Sequence, residues 1–165
     1  LSTMKNFQIE YKWAFILTVL GIVWIALERA AGLHDQHIDQ HPIYTNIVVL
    51  PSVLVYYLAL REKKSSFFKN QMDWKQGFLS GSVMAIFAAL MSIPAVFFSL
   101  KVVSPDFFAN QIKYQIEVHG RTLETASSYF NMNTYLITSA IGSISFGIVV
   151  SAIVAYFLKS KTQKG

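Results

Sequence analysis

The segment from Glu28 to His41, ERAAGLHDQHIDQH, holds the side chains of this chain best suited to chemistry. His34, His37 and His41 recur at i, i+3 and i+7, so a helical stretch would set the three imidazoles on one face, with Asp35 and Asp39 beside them. Imidazole and carboxylate together suit zinc, nickel or copper. A metal site also requires its ligands to converge on one point about 2 Å from each of them. Gly32 and Leu33 leave the path of the segment free, so the histidines are expected to bind divalent metal weakly at most. No resident metal or other cofactor is expected. Read structurally, the same residues make a polar loop at a membrane edge, with histidines capping helix ends.

Glu28 and Arg29 are the other notable pair. They lie 15 residues beyond Trp13, the start of an apolar run. At about 1.5 Å per residue that is roughly 22 Å into a hydrocarbon core about 30 Å thick. Charges at such depth are costly and mark functional candidates, although both side chains can snorkel to the nearby interface. Adjacent helical residues point about 100° apart, so one is expected to face the helix bundle while the other reaches the headgroups. Glu28, Arg29, His34 and His37 therefore form the candidate polar site. The chain has no cysteine, which removes disulfides, thiolate catalysis and Cys-ligated metals. No nucleophile–base–acid order, phosphate loop or zinc-protease helix motif appears, and the chain is expected not to be an enzyme.

The elements that position these residues are four long apolar runs, at about 12–33, 42–60, 76–100 and 134–158. A crossing helix needs about 20 mostly apolar residues. Four such runs in 165 residues leave too little polar chain to cover them as soluble core helices. Lipid offers backbone groups no partner, so the spans must be helices, and alternating barrel strands are absent. Pro51 and Pro94 fall inside spans and are expected to kink them. The expected fold is an all-α membrane domain over 4–165, with Leu1-Ser2-Thr3 read as an expression scar.

Charge sets the orientation. Ten of the 14 basic residues, namely Lys5, Lys12, Arg61, Lys63, Lys64, Lys69, Lys75, Lys159, Lys161 and Lys164, lie on one side of the spans, with only Glu10, Glu62 and Asp73 as acids. The other side has Arg29, Lys101, Lys113 and Arg121 against six acids. The positive-inside rule then places both termini on the cytoplasmic side of the membrane. The net charge of +5 is a topology signal, and no nucleic-acid partner is expected. Membrane lipid is the expected partner, joined by a second copy of the chain or another membrane protein.

The one sizeable excursion from the membrane, about 104–131, is expected on the outside as a short helical hairpin. Ser104-Pro105-Asp106 reads as N-cap, first helical residue and early acid, and Phe108, Ile112 and Ile116 form an apolar stripe. Gly120 stops the first helix, and Thr122 caps the second. In the third span Gly77, Gly81, Ala85 and Ala89 recur every four residues, as do Ser139, Ser143, Gly147, Ser151 and Ala155 in the fourth. Small residues at this spacing let helix backbones approach closely, either within one bundle or between copies.

With these elements in place, the chain resembles a family of small four-span bacterial inner-membrane proteins catalogued only as a domain of unknown function. The resemblance rests on GLHDQHI after span one, YYLALREKK after span two, MDWKQGFLSG entering span three, SPDFFANQIKY opening the hairpin and ETASSYFN before span four. It runs over nearly the full chain from Met4 and implies a four-helix inner-membrane protein, with no activity or catalytic residue to carry over. It raises His34 and His37 above His41. The expected function is that of a non-enzymatic accessory or regulatory membrane protein acting through helix, lipid or partner contacts. The alternative is a small oligomeric transporter or channel with an outer polar vestibule around Glu28, Arg29 and His34.

Overall fold

The computed structural model describes residues 7–160, so Leu1–Thr3, Lys5, Lys161 and Lys164 lie outside the described residues. Among the described residues every regular element is helical: α1 Gln8–Ala30, α2 His41–Phe67, α3 Trp74–Val103, α4 Phe107–His119, α5 Leu123–Tyr129 and α6 Met132–Leu158. Helices α1, α2, α3 and α6 are 23, 27, 30 and 27 residues long and apolar enough to cross a membrane. At about 1.5 Å per residue each exceeds the roughly 30 Å of a hydrocarbon core. Their outward faces carry Phe15, Val19, Leu50, Leu54, Ile86, Leu90, Ile137 and Ile141 exposed. A belt of large apolar side chains this continuous is stable only against lipid. The chain is a four-span, all-α membrane protein.

Helix ends follow local chemistry. Asp73 Oδ1 accepts from the Gln76 N–H at 2.8 Å, and Gln76 Oε1 accepts from the Asp73 N–H at 2.9 Å, a reciprocal cap that starts α3. Thr122 accepts from the Thr125 N–H and starts α5, while Asn131 accepts from the Thr134 N–H and starts α6. Gly120 closes α4 at φ +62°, a left-handed position where a Cβ would be strained.

Three local expectations are corrected. Span one stops at Ala30 rather than near Leu33, because Gly32 turns at φ +76° and residues 31–40 form a run of turns. Span two does not stop at the first basic residue. It runs on to Phe67 through a wide π-helical turn at Lys63–Phe67, since Lys63 points into the bundle and is neutralised there. Ser104 does not cap α4. Its hydroxyl faces His34, the helix begins at Phe107, and the inward residues are Phe107 and Gln111 rather than Phe108, Ile112 and Ile116.

The most extensive contact between elements is that of α3 with α6, followed by α1 with α3. The small residues meet in antiparallel register: Gly77 against Ala155, Gly81 against Ser151, and Gly147 against Ala85. A Cβ on Gly77 would sit 2.9 Å from the Ala155 Cβ, and one on Gly81 would fall on Ser151. The backbones are therefore as close as the absence of side chains allows, which maximises dispersion where lipid supplies no hydrophobic drive. Ala89 is buried on the same helix, whereas Ser139 and Ser143 are only half-buried. Tyr56, Leu60, Met84, Ala88, Val150 and Val154 complete the core.

Candidate functional site

The turn after α1 folds the histidine segment back over the end of the bundle. The Leu33 N–H donates to the Glu28 carbonyl at 2.9 Å, and the His37 N–H to that of Gly32 at 2.8 Å. This U-shaped path drops His34 beside the last turn of α1 and delivers His41 at the start of α2. Glu28, His34 and His41 come together, only 5%, 3% and 9% exposed. His34 Nε2 lies 3.4 Å from Glu28 Oε2, and His41 Nε2 lies 3.8 Å from the same oxygen. The other carboxylate oxygen, Oε1, accepts from the Trp24 indole N–H at 2.8 Å. His34 Nδ1 is 2.8 Å from Ser104 Oγ, and Asn110 Nδ2 donates to the His34 carbonyl at 2.9 Å. Phe107 lies across both imidazoles, with ring centroids 4.7 Å from His34 and 5.4 Å from His41. The segment that follows α3 thus roofs the cluster.

The expected set is redistributed. His37 is exposed and stands apart from the cluster, and Arg29 turns outward from the bundle. Glu28 and His34 face inward, joined by His41, the histidine ranked lowest on resemblance. His34 and His41 meet although the stretch between them is a run of turns and not a helix. Two imidazoles and one carboxylate, each offering a donor atom within 4.8 Å of the others, are a set that could hold a metal ion.

A second buried polar centre lies at the opposite end of the bundle, where sequence reasoning saw only flanking charges. Lys63 Nζ is 2.9 Å from Glu10 Oε1 and 3.2 Å from Oε2, and the Ser80 hydroxyl donates to Oε1 at 2.6 Å. Glu10 is 2% exposed and Lys63 4%. Beside them, nearer the surface, Glu62 accepts from Lys12 and from the Trp13 indole. The signal was present in periodicity: Glu10 precedes Ala14 by four residues, and Lys63 follows Ala59 by four, so each extends a buried helical face. Each charge is met by a partner, and Glu10, Lys63 and Ser80 line an open groove beside Phe67, Gln76 and Leu79.

Between the two ends, Tyr56, Met84 and Ala85 are 0–1% exposed in the hydrophobic core, where the Tyr56 hydroxyl meets no hydrogen-bond partner among the described residues. A void of about 100 Å³ between α1, α3 and α6 is lined mainly by apolar groups, among them Leu17, Gly21, Ile25 and Ala88. The model of a family described as a protein of unknown function, DUF4199, matches residues 12–160. No curated protein and no solved structure matches the chain.

Proposed function

The chain belongs to that family of unknown function, and we propose that it is a non-enzymatic accessory or regulatory protein of a bacterial inner membrane, with both termini in the cytoplasm. The observation that carries this reading is the buried middle of the bundle. Tyr56, Met84 and Ala85 are buried in the middle, and the buried carboxylate, lysine and histidine side chains sit in two clusters at its ends. A conducting pathway needs polar or ionisable groups along its length. What the molecule offers to others is surface: the lipid-facing belt and the α4–α5 hairpin, where Val118, Leu123 and Tyr129 are exposed. The basic residues described at the opposite end, among them Lys12, Arg61, Lys64, Lys69, Lys75 and Lys159, support the orientation and favour anionic lipid there.

The transporter alternative places Glu28, Arg29 and His34 in an outer vestibule. Glu28 and His34 are buried in a single copy, with Phe107 and Ser104 against His34, so that reading requires an oligomer that opens this roof.

One experiment tests side and role together. The chain has no cysteine, so single Cys substitutions at Lys69 and Ala109, both exposed, report uniquely. A membrane-impermeant photocrosslinking maleimide added to intact cells is expected to label Ala109→Cys, and Lys69→Cys only after permeabilisation. Photolysis at residue 109 is expected to give a discrete protein adduct in native membranes. Labelling of both sites from outside contradicts the orientation, and adducts to lipid alone contradict the accessory role.

A further inference from the structure

We propose that Glu28, His34 and His41 form a binding site for one divalent transition-metal ion of the zinc class, beneath the roof made by Ser104 and Phe107. The proposal goes beyond the accessory role and stands whichever way the protein faces. It also revises the expectation of weak binding at most, because the ligand set differs from the one that spacing suggested: Glu28 enters and His37 leaves.

Four observations carry it. The first is the separation of the donor atoms. A tetrahedral ion with bonds of about 2.0–2.1 Å holds its ligand atoms about 3.3–3.5 Å from one another. The two imidazole Nε2 atoms lie 3.4 and 3.8 Å from Glu28 Oε2, and all three donors fall within 4.8 Å of each other. These distances are too long for good hydrogen bonds, yet the three donor atoms stay within 4.8 Å of one another.

The second is the outer support. A liganding imidazole is generally held by a hydrogen bond at its other nitrogen, and a liganding carboxylate by one at its other oxygen. His34 Nδ1 has Ser104 Oγ at 2.8 Å, and Glu28 Oε1 accepts from Trp24 at 2.8 Å. With Nδ1–H donating to Ser104, the His34 Nε2 lone pair is available to a metal.

The third is burial. Two imidazoles and a carboxylate withdrawn from water, with Phe107 against both rings, form an expensive cluster unless the charge is compensated. A dication supplies that compensation.

The fourth is the chemistry of the donors. Two nitrogens and one oxygen, with no thiolate in the chain, favour zinc, cobalt, nickel or copper(II) over magnesium or calcium, which prefer all-oxygen sets. Three protein ligands leave the fourth position for water or an external group. The ion would tie the end of α1 and the start of α2 to one another under the hairpin.

The test uses untagged, chelator-treated full-length protein in detergent, titrated with zinc chloride alone by calorimetry. Cobalt(II) absorption serves as a second readout of coordination. One zinc per chain at submicromolar Kd is expected, with the intense visible bands of four-coordinate cobalt. His34→Ala and His41→Ala are each expected to weaken binding by more than about a hundredfold, and Ser104→Ala, a positioning change, by about tenfold. His37→Ala is expected to leave the affinity unchanged. Where a variant fails to fold, the wild-type cobalt spectrum and the His37→Ala titration still decide. Wild-type binding weaker than about a hundred micromolar, a six-coordinate cobalt spectrum, or loss of binding in His37→Ala overturns the proposal.

Discussion

Gly147→Leu is expected to destabilise the protein by about 3 kcal/mol or more, since inserting carbons into a packed core costs about 1–3 kcal/mol even where neighbours yield. A Cβ at Gly147 already falls on the Tyr56 hydroxyl and on the Ala85 Cβ, and the latter can move only with the α3 backbone. Gly142 lies five residues away on the same helix with nothing within 4 Å of its would-be Cβ, so Gly142→Leu is the matched control and is expected to be neutral. Thermal unfolding in detergent is the measurement, with a fall in Tm of roughly 6–12 °C for the first substitution on the scale of domains of this size. An unchanged Tm for Gly147→Leu contradicts the internal packing of α3 on α6. A change confined to oligomer mass would assign the stripe to self-association instead.

The second large effect is expected at the opposite end of the bundle. Lys63→Met removes the cation facing Glu10 and leaves a carboxylate that is 2% exposed with the Ser80 hydroxyl as its remaining donor. Breaking one partner of a buried pair costs about 3–5 kcal/mol, because the surviving charge has lost both water and its counterion. Replacing both, as Glu10→Gln with Lys63→Met, removes the stranded charge, and the double variant is expected to recover most of the loss. Lys12→Met supplies the contrast. Lys12 pairs with Glu62 but its side chain is 49% exposed, and such pairs contribute about 0–1 kcal/mol. A double-mutant cycle on Tm reads all of this. Near-additive single and double losses at Glu10 and Lys63 would show that the pair is not coupled.

The spans were legible because hydrophobic length is a strong and nearly local signal: the runs read from sequence at 42–60, 76–100 and 134–158 fall within α2, α3 and α6. The small-residue stripes were legible for a related reason, since a four-residue period fixes one face of a helix whatever it packs against. Burial of charge was not. Glu10 and Lys63 are far apart in sequence and look like ordinary flanking charges until α1, α2 and α3 are assembled around them. The histidine segment was half legible. Residue type and spacing flagged the imidazoles, but not which of them turn inward, because the chain turns at Gly32, φ +76°, before it reaches them. Glycine permits several paths, so the choice is made by tertiary contacts, chiefly Phe107 and Ser104 arriving from the far end of α3. Ser104 shows the same override. Its sequence context is that of a helix cap, and the hydroxyl is spent on His34 instead.

Reconstitution tests the central claim most directly. Purified wild-type protein in sealed proteoliposomes is assayed for flux of protons, monovalent cations and zinc, with chelator and without, beside Glu28→Gln. A bundle with Tyr56, Met84 and Ala85 buried in its middle predicts no flux above that of protein-free vesicles for either protein. Robust flux from the wild-type protein that Glu28→Gln abolishes while leaving folding intact would contradict the accessory reading and establish the transporter.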